Sequence, residues 1–483
     1  MADKPTLDPS MAAKSIDDKS LLDPLTPEKG RRERWRNALK WLFPGLGVKR
    51  YFTLAILGIL LVILGLVVFG SWELLNFLED TARKMTAYTV GQWTNWVRIM
   101  GLGVVVLGLF FLYRGFTRGI KSVMSVLLPG KEERVVDMMY YRRNLQRGPR
   151  VVVIGGGTGL SALLRGLKAY TSNLTAIVTV GDDGGSSGRL RRELGVHPPG
   201  DVRNCMVALS EREDLITDLF SYRFGSGTLE GHSLGNLLIA GMTQRYGDFQ
   251  KGIEHVGKLL DLNGRVYPST LDPMTLTASF ADGRSVDGES AIRSTRGHIK
   301  KLQLNPTACR PLPEVVQAIA GADLIVLGPG SLYTSVMPNL LVEGLPEAIS
   351  EAQAPCIYVS NIMTEPGETD EYTVGDHLSA IREHCGPQVI DAVLAASEVI
   401  PEAVLERYRE QGSVPVKGDR EGVEKMGVTY YEKSFYAGND EVVRHDPQKL
   451  GRELIRLYLI LKPIEEQTDI VTAFLLTQRI KKI

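Results

Sequence analysis

The chain of 483 residues has no excess of charge of either sign, since its 56 basic side chains equal its 56 acidic ones in number. It is also poor in cysteine. The four cysteines form no C-x-x-C pair, which argues against a zinc site and indicates a reducing compartment: Cys205, Cys309, Cys356 and Cys385. The larger, C-terminal part of the chain has no basic stretch that would favour nucleic acid as a partner.

The neutral total hides a division of charge along the chain. Residues 1–150 hold 23 Lys and Arg against 13 Asp and Glu, whereas residues 151–483 hold 33 against 43. We therefore expect a basic N-terminal module and an acidic C-terminal module. The basic flanks of the first module suit the anionic inner leaflet of a membrane.

Two uncharged runs in the N-terminal part predict transmembrane helices. Residues 51–72 contain no charged side chain and are long enough, at about 1.5 Å per residue, to cross a hydrocarbon core of about 30 Å. The second run, residues 99–113, is long enough if its helix starts near Trp93, so we expect a span over about 93–113. An interfacial or re-entrant helix is the alternative for this second run.

Basic residues lie on the outer sides of the two runs, before residue 51 and after residue 113, whereas the loop between them has mixed charge. By the positive-inside rule, both termini and the globular domain are expected in the cytoplasm, and the protein is expected to be a multi-pass protein of the cytoplasmic membrane. The predicted segments are a disordered, basic tail (1–50), two spans (51–113), a basic linker (114–149), an α/β domain (150–462) and a C-terminal extension (463–483).

The most informative local motif follows a short apolar run at residues 151–154. This run leads into a glycine cluster and then into an apolar-periodic segment, which is typical of a strand, a tight turn and a helix: Gly155, Gly156, Gly157, Thr158 and Gly159. Unpaired N–H groups at the start of such a helix favour a phosphate, and tight packing without a ligand is the alternative. The spacing departs from the dinucleotide fingerprint, and no Lys-Ser/Thr closes a Walker A loop.

Further turn segments end a predicted strand or open a predicted helix, and the first of them belongs beside the glycine loop because βαβ units repeat strand direction. The candidate ligand-binding residues in these segments are Asp182, Asp183, Ser186, Arg189, Asp201, Arg203, Asn204, His232, Ser233, Asn236, Gly328, Gly330, Ser331 and Asn361. Asp182 and Asp183 could hold a ribose hydroxyl or Mg²⁺, and Arg189 could pair with a phosphate. Helix capping is the alternative, above all for Asp201, and His232 could be a structural histidine.

A β excursion is predicted within the α/β domain. Residues 275–280 and 284–288 lie on either side of the turn segment Ala281-Asp282-Gly283, which is typical of a hairpin. Such a hairpin could extend the main sheet or form a dimer contact.

The chain resembles the gluconeogenesis-factor family, which is related to the 2-phospho-L-lactate transferases, in six segments that occur in this order: GGGTGLSALLRGL, VTVGDDGGSSGRLR, PPGDVRN, GHSLGN, GRVYP and GPGSLYTS. The resemblance covers about residues 150–461. It implies a doubly wound, mostly parallel, Rossmann-like α/β fold, a homodimer and the binding of UDP-sugars such as UDP-N-acetylglucosamine. It also implies a regulatory role, with no settled reaction, in carbon flow and the supply of cell-envelope precursors.

The resemblance further implies that Tyr408 and Arg444 contact the sugar nucleotide. Pro447 stands where some relatives carry a phosphorylatable threonine, so control by phosphorylation at that position is not expected. Thr179-Val180-Gly181 stands where the transferases have an asparagine-threonine lead-in to their aspartates, which weakens the case for their reaction.

Two function classes stay open at this point. The favoured one is a membrane-tethered UDP-sugar sensor that regulates a protein partner in precursor synthesis. The other is a phosphoryl- or nucleotidyl-type transferase that uses Asp182 and Asp183 with Mg²⁺. A third interpretation, NAD(P) binding, rests on the position of Asp182 just after the second predicted strand, where a ribose-binding acid would lie.

Overall fold

The computed structural model describes residues 49–70, 80, 90–127, 135–386, 389–397, 400–438, 442–462 and 476–480. The chain divides into two units, Met1–Met139 and Tyr140–Ile483. The predicted basic tail, apart from its last two residues, and most of the predicted C-terminal extension lie outside the described residues.

Two long apolar helices are described in the N-terminal unit. Helix α1 is Lys49–Gly70 and helix α2 is Val90–Leu127. Each contains a segment that is long and apolar enough to cross a membrane, Arg50–Phe69 in α1 and Arg98–Ser122 in α2. Length and composition thus agree with two spans, while the orientation predicted from the flanking charges stays a prediction.

Helix α2 does not end where the uncharged run ends. The predicted second span stops at Tyr113, but the helix continues to Leu127 because no proline interrupts the chain before Pro129. The first part of the predicted linker, residues 114–127, is therefore helical.

The two helices pack against each other through glycines. Glycine recurs at every seventh position on the contact face: Gly58 and Gly65 in α1, and Gly101, Gly108 and Gly115 in α2. A Cβ at Gly108 would lie 2.7 Å from the amide nitrogen of Val62, so only glycine permits this approach. Close backbone contact at small residues is the usual way in which helices associate in a membrane.

We predict that Gly108→Leu separates the two helices. The added side chain has no space at the contact, and over-packing of this kind costs about 1–3 kcal/mol. All five tryptophans lie in residues 1–139, so tryptophan fluorescence reports on this unit alone. In mixed micelles the variant should unfold at a lower fraction of SDS than the wild type. Gly103→Leu is the matched control, since nothing lies within 4 Å of a Cβ at Gly103. Equal sensitivity of the two variants would show that the glycine contact is unimportant.

The strands of the C-terminal unit are β1 Val151–Gly155, β2 Leu174–Val178, β3 Arg265–Pro268, β4 Thr275–Phe280, β5 Ser285–Asp287, β6 Ile299–Asn305, β7 Leu324–Leu327, β8 Cys356–Val359, β9 Ala392–Ala396, β10 Thr429–Lys433, β11 Tyr436–Gly438 and β12 Val443–His445. Seven of them form a parallel sheet in the order β10-β9-β8-β7-β1-β2-β3. The predicted doubly wound, mostly parallel α/β fold is confirmed.

The remaining helices are α3 Val135–Gln146, α4 Gly157–Leu167, α5 Gly185–Leu194, α6 Gly200–Leu209, α7 Glu213–Ser221, α8 Leu234–Tyr246, α9 Phe249–Leu260, α10 Glu289–Ser294, α11 Pro313–Ala320, α12 Met337–Leu340, α13 Leu345–Glu351, α14 Val374–Cys385, α15 Glu402–Glu410, α16 Arg420–Lys425 and α17 Pro447–Leu461. A π-helical turn, Leu332–Val336, precedes α12. Every residue of β1, β7 and β8 is buried, as expected for parallel strands covered on both faces, and this explains their continuous apolar sequences.

The strand order reverses between β1 and β7. From β1 the chain continues outward to β2 and β3, and from β7 it continues in the opposite direction to β8, β9 and β10. The loops that follow β1 and β7 therefore diverge and leave a crevice at the carboxyl edge of the sheet, which is where open α/β sheets bind ligands.

The predicted hairpin forms, but it does not extend the main sheet. β4 pairs with β5 in the register Ala278 to Val286 and also pairs with β6, giving a separate three-stranded sheet in the order β5-β4-β6. The alternation of buried and half-buried residues along β4 shows that one face of this small sheet packs on the core. Its role in a dimer contact stays a prediction.

Candidate functional site

A cleft of about 1510 Å³ opens at the carboxyl ends of β1, β7 and β8. The structure places these sequence-predicted residues in its lining: Gly156, Gly157, Thr158, Gly159, Arg203, Asn204, Gly330, Ser331, Asn361, Tyr408 and Arg444. The remaining predicted residues lie outside the lining: Gly155, Asp182, Asp183, Ser186, Arg189, Asp201, His232, Ser233, Asn236 and Gly328. Loops far apart in sequence are thus brought together at the point where the sheet reverses its order.

The two glycine loops touch each other across the crevice. A Cβ at Gly159 would lie 2.5 Å from the carbonyl oxygen of Pro329, and one at Gly330 would lie 3.2 Å from the carbonyl oxygen of Gly156. Gly157 also has a φ of +69°, which L side chains rarely adopt. The loops after β1 and β7 therefore form one continuous backbone surface.

The start of α4 forms part of this surface. Its N-cap, Gly156, has no side chain to accept from the first N–H groups, as expected where a ligand takes that role. The Gly157 N–H donates to the carboxylate of Asp201, whose pKa burial raises to about 6 although this hydrogen bond opposes the rise. Asp201 is not the N-cap that the sequence pattern favours, because α6 begins one residue earlier, at Gly200, and Pro199 precedes it as N-cap.

The two adjacent aspartates, Asp182 and Asp183, lie outside the cleft lining and accept hydrogen bonds from the backbone. Oδ1 of Asp182 accepts from the N–H of Gly184 at 2.9 Å, and Oδ1 of Asp183 accepts from the N–H of Ser290 at 2.9 Å, in α10 between β5 and β6. No group of three or more His, Cys, Asp or Glu in the described part of the chain is arranged to hold a metal ion.

Ser186 and His232 form a buried pair behind the cleft. Oγ of Ser186 lies 3.0 Å from Nδ1 of His232 and accepts from Nδ2 of Asn236 at 3.1 Å. Burial, helped by the charge of Arg189, lowers the pKa of His232. Arg189 itself donates to the carbonyl of Glu230 at 2.6 Å. The geometry joins α5 to the start of α8 and resembles a serine–base pair, but neither partner lines the cleft.

Arg203 connects this buried network to the cleft wall. Its guanidinium donates to Oγ of Ser233 at 2.6 Å, to Oδ1 of Asn236 at 3.1 Å and to Oδ1 of Asn204 at 2.7 Å. All three acceptors are neutral, and no ion pair with a carboxylate is found for Arg203 in the described structure. A half-buried cation without an ion-pair partner in the described structure favours an anion in the cleft.

The second glycine loop is held by side chains from distant segments. Oδ1 of Asn361 accepts from the N–H of Gly330 at 3.3 Å, and Oγ of Ser331 accepts from Arg293 at 2.8 Å. Nδ2 of Asn339 donates to the carbonyl of Gly155 at 3.1 Å and so connects α12 to the end of β1. Arg293 and Asn339 belong to no motif of the sequence, and only the tertiary fold brings them here.

An acidic cluster surrounds Arg293. Its guanidinium lies 3.6 Å from Oε1 of Glu289 and 3.5 Å from Oε1 of Glu368. Burial, with the charge of Asp182, raises the pKa of Glu289 to about 9, and burial with the charge of Glu365 raises that of Glu368 to about 7. Glu289 is therefore mainly protonated at neutral pH, whereas Glu368 is about half ionised, and the arginine stays fully charged.

Tyr408 and Arg444 lie together at the far end of the cleft. The hydroxyl of Tyr408 accepts from the N–H of Val443 at 2.9 Å, so the tyrosine fixes β12, whose next residue is the exposed Arg444. His445 donates from Nε2 to the carbonyl of Ser360 at 3.2 Å, and burial lowers its pKa to about 4. The Tyr408 hydroxyl thus has a partner in the fold, which the sequence does not reveal.

Comparison with known proteins agrees with this architecture. The family described as 2-phospho-L-lactate transferase CofD matches residues 151–436. A relative in Nostoc sp., assigned by name to the gluconeogenesis factors, is 46% identical over 428 residues, which cover 87% of this chain and 92% of the relative. The chain belongs to the gluconeogenesis factor family. The predicted family is therefore confirmed.

Shorter relatives correspond to the C-terminal unit alone. The gluconeogenesis factor of Halalkalibacterium halodurans is 49% identical over 306 residues, covering 63% of this chain and 95% of the relative. A crystal structure of a UPF0052 family member from Bacillus halodurans has a TM-score of 0.62 and 48% identity, and covers 64% of this chain and 99% of the solved chain. The unit with the cleft thus corresponds to nearly the whole length of these relatives.

We predict that Gly159→Ala destabilises the C-terminal unit by about 1–3 kcal/mol, because the new methyl group would overlap the Pro329 carbonyl. The matched control is Gly241→Ala, also within a helix, where nothing lies within 4 Å of the added Cβ and alanine should stabilise by up to about 1 kcal/mol. Urea denaturation followed by circular dichroism gives both values. A Gly159→Ala protein as stable as the wild type would mean that the two loops are not in tight contact.

Proposed function

We propose that this protein binds a UDP-sugar, with UDP-N-acetylglucosamine the first candidate, in the cleft between its two glycine loops, and acts as a regulator of carbon flow into cell-envelope precursors. The observation that carries the proposal is the junction of the loops at the switch point, where the open start of α4 meets a cationic wall. The regulated partner is proposed to be a protein of precursor synthesis, and the factor is proposed to act as a homodimer.

The charge of the cleft supports an anionic ligand. Among the described residues that line it, arginines outnumber acids, since Arg165, Arg203, Arg293 and Arg444 are accompanied by Glu365 alone. Arg165 is neutralised by Glu213, whereas no ion pair is found for Arg203 or Arg444 in the described structure. A diphosphate lying along the glycine loops would meet these cations on either side.

The size and shape of the cleft also support a nucleotide sugar. Its volume of about 1510 Å³ exceeds the typical range of about 300–1,000 Å³ for small-ligand pockets, and leaves room for a nucleoside, a diphosphate and a sugar in one extended ligand. The carboxyl ends of β1 and β8, which both lie at the cleft, are two strand spacings apart, which corresponds to about 10 Å. An extended ligand could therefore touch both ends of the cleft.

Regulation is favoured over transfer by the positions of the reactive groups. Asp182 and Asp183 are engaged with backbone N–H groups, and the Ser186–His232 pair lies outside the cleft lining. The match to the transferase family keeps Mg²⁺-dependent phosphoryl or nucleotidyl transfer as the second candidate. NAD(P) binding is less favoured, because the spacing of the glycine loop departs from the dinucleotide fingerprint.

We further propose that α1 and α2 anchor the protein in the cytoplasmic membrane with both termini inside. Their outer surfaces expose large apolar side chains, for example Phe52, Leu60 and Phe116, each about 60% exposed or more in the absence of a membrane. Arg50 before the first span and Arg114 and Arg118 near the end of the second suit the cytoplasmic side.

The binding proposal is tested by titrating the protein with UDP-N-acetylglucosamine, NAD(P) and GTP, with and without Mg²⁺. We expect UDP-N-acetylglucosamine to bind preferentially. Arg444→Ala should weaken it by about ten- to a hundredfold, because a charged hydrogen-bond partner is lost. Arg189→Ala should change nothing, since Arg189 lies outside the cleft. Preferential NAD(P) binding would overturn the proposal, and steady release of UDP, UMP or phosphate that is lost in Asp183→Asn would favour the transferase.

The topology is tested with single cysteines. Cys385 is the one native cysteine that is not fully buried in the described structure, so Cys385→Ser gives a quiet background. Asn76→Cys, between the two helices, should react with an impermeant thiol reagent on intact cells, whereas Asn144→Cys should react only after lysis. Equal protection of both positions would exclude a two-span arrangement.

A further inference from the structure

Arg293 is the arginine at the centre of the cleft, and no sequence motif contains it. It lies in α10, which connects β5 to β6 of the small antiparallel sheet, and its side chain is 51% exposed. Through Ser331 it touches the second glycine loop, the loop that contacts Gly156 and Gly159. The guanidinium is therefore next to the junction at which a phosphate is expected.

Most donors of this guanidinium are free for a ligand. Of its five N–H groups, one donates to Ser331 at 2.8 Å, while Glu289 and Glu368 lie at 3.6 and 3.5 Å, beyond the usual length of a charge-assisted hydrogen bond. The arginine is thus attracted by two carboxyl groups without being tightly bound to either.

The side chains of Glu289 and Glu368 are buried behind the guanidinium and do not reach into the cleft. They are 11% and 2% exposed, and Oε1 of Glu368 also accepts from Oγ1 of Thr334 at 3.0 Å. Oε2 of Glu368 has no hydrogen-bond partner in the described structure. The carboxyl groups are therefore a fixed support behind the arginine, and a ligand in the cleft would compete with them for its N–H groups.

We propose that Arg293 binds the diphosphate of the ligand and that Glu368 competes with the ligand for the same guanidinium. This inference rests on the proposed function and names the group that would hold its phosphates. A planar guanidinium can form two parallel hydrogen bonds with one phosphate, at the usual length of about 2.7–2.9 Å, which neither glutamate reaches. The ligand would thus make contacts that the unliganded protein lacks.

The two parts of the proposal predict changes of opposite sign. Arg293→Gln should weaken the binding of UDP-N-acetylglucosamine by about ten- to a hundredfold. Glu368→Gln should strengthen this binding by about three- to tenfold, because the guanidinium loses a competing charge while Thr334 keeps an acceptor. If Glu368 merely braced the fold, its replacement would weaken the ligand. Arg409→Gln, outside the cleft and paired with Glu402, is the matched control and should change nothing.

The experiment is isothermal titration of the full-length chain in detergent micelles with two probes, UDP-N-acetylglucosamine and inorganic pyrophosphate. Arg293→Lys, which keeps the charge but loses the planar fork, is included, with circular dichroism to confirm folding, and should bind both probes at an intermediate strength. Pyrophosphate lacks the nucleoside and the sugar, so it tests Arg293 independently of the proposed ligand.

The outcomes separate the inference from the proposed function. If pyrophosphate binds and is weakened in Arg293→Gln while UDP-N-acetylglucosamine does not bind, the proposed function fails and the role of Arg293 stands. Affinities for both probes within about threefold of the wild type in Arg293→Gln would overturn the role of Arg293. Weaker binding in Glu368→Gln would overturn the competition, and absence of pyrophosphate binding to the wild type would overturn the inference as a whole.

Discussion

The contact between the two glycine loops is the constraint on which the rest of the site depends. Because Gly159 lies against the Pro329 carbonyl and Gly330 lies against the Gly156 carbonyl, the start of α4 and the loop after β7 cannot move independently. Asn339, Asn361 and Arg293 then hold this junction from three different segments. Several long-range hydrogen bonds thus fix the backbone of the start of α4 and of the loop after β7 at the edge of the cleft.

The sequence was sufficient for the features that local pattern controls. Apolar runs that end in glycine predicted β1 and β7, and parallel pairing then required their loops to share one edge of the sheet. Pairing also explains why the two loops at Gly156–Gly159 and Gly330–Ser331, about 170 residues apart in the sequence, both follow strand ends at one edge of the sheet. The six motifs were sufficient for the family, which the comparisons confirm.

The sequence does not predict which of the candidate side chains form hydrogen bonds with groups far away in the chain. Asp183 looked like a ligand because it follows a strand, but the N–H of Ser290, over a hundred residues later, occupies its carboxylate. The sequence pattern predicts that Asp201 is an N-cap, but its carboxylate accepts instead from the N–H of Gly157 in another helix. Arg293 was missed for the same reason, since only the packing of the β4–β5–β6 insertion brings it beside Ser331.

These hydrogen bonds within the protein affect what the cleft can do chemically. A carboxylate that accepts from a backbone N–H is held in place by that bond, because an unsatisfied buried donor costs about 1–3 kcal/mol. Asp182 and Asp183 are both in this position, whereas Arg203 and Arg444 have no carboxylate partner in the described structure. The fold therefore holds these two aspartates against its own backbone and leaves cations facing the cleft. This arrangement favours binding an anionic ligand over activating one.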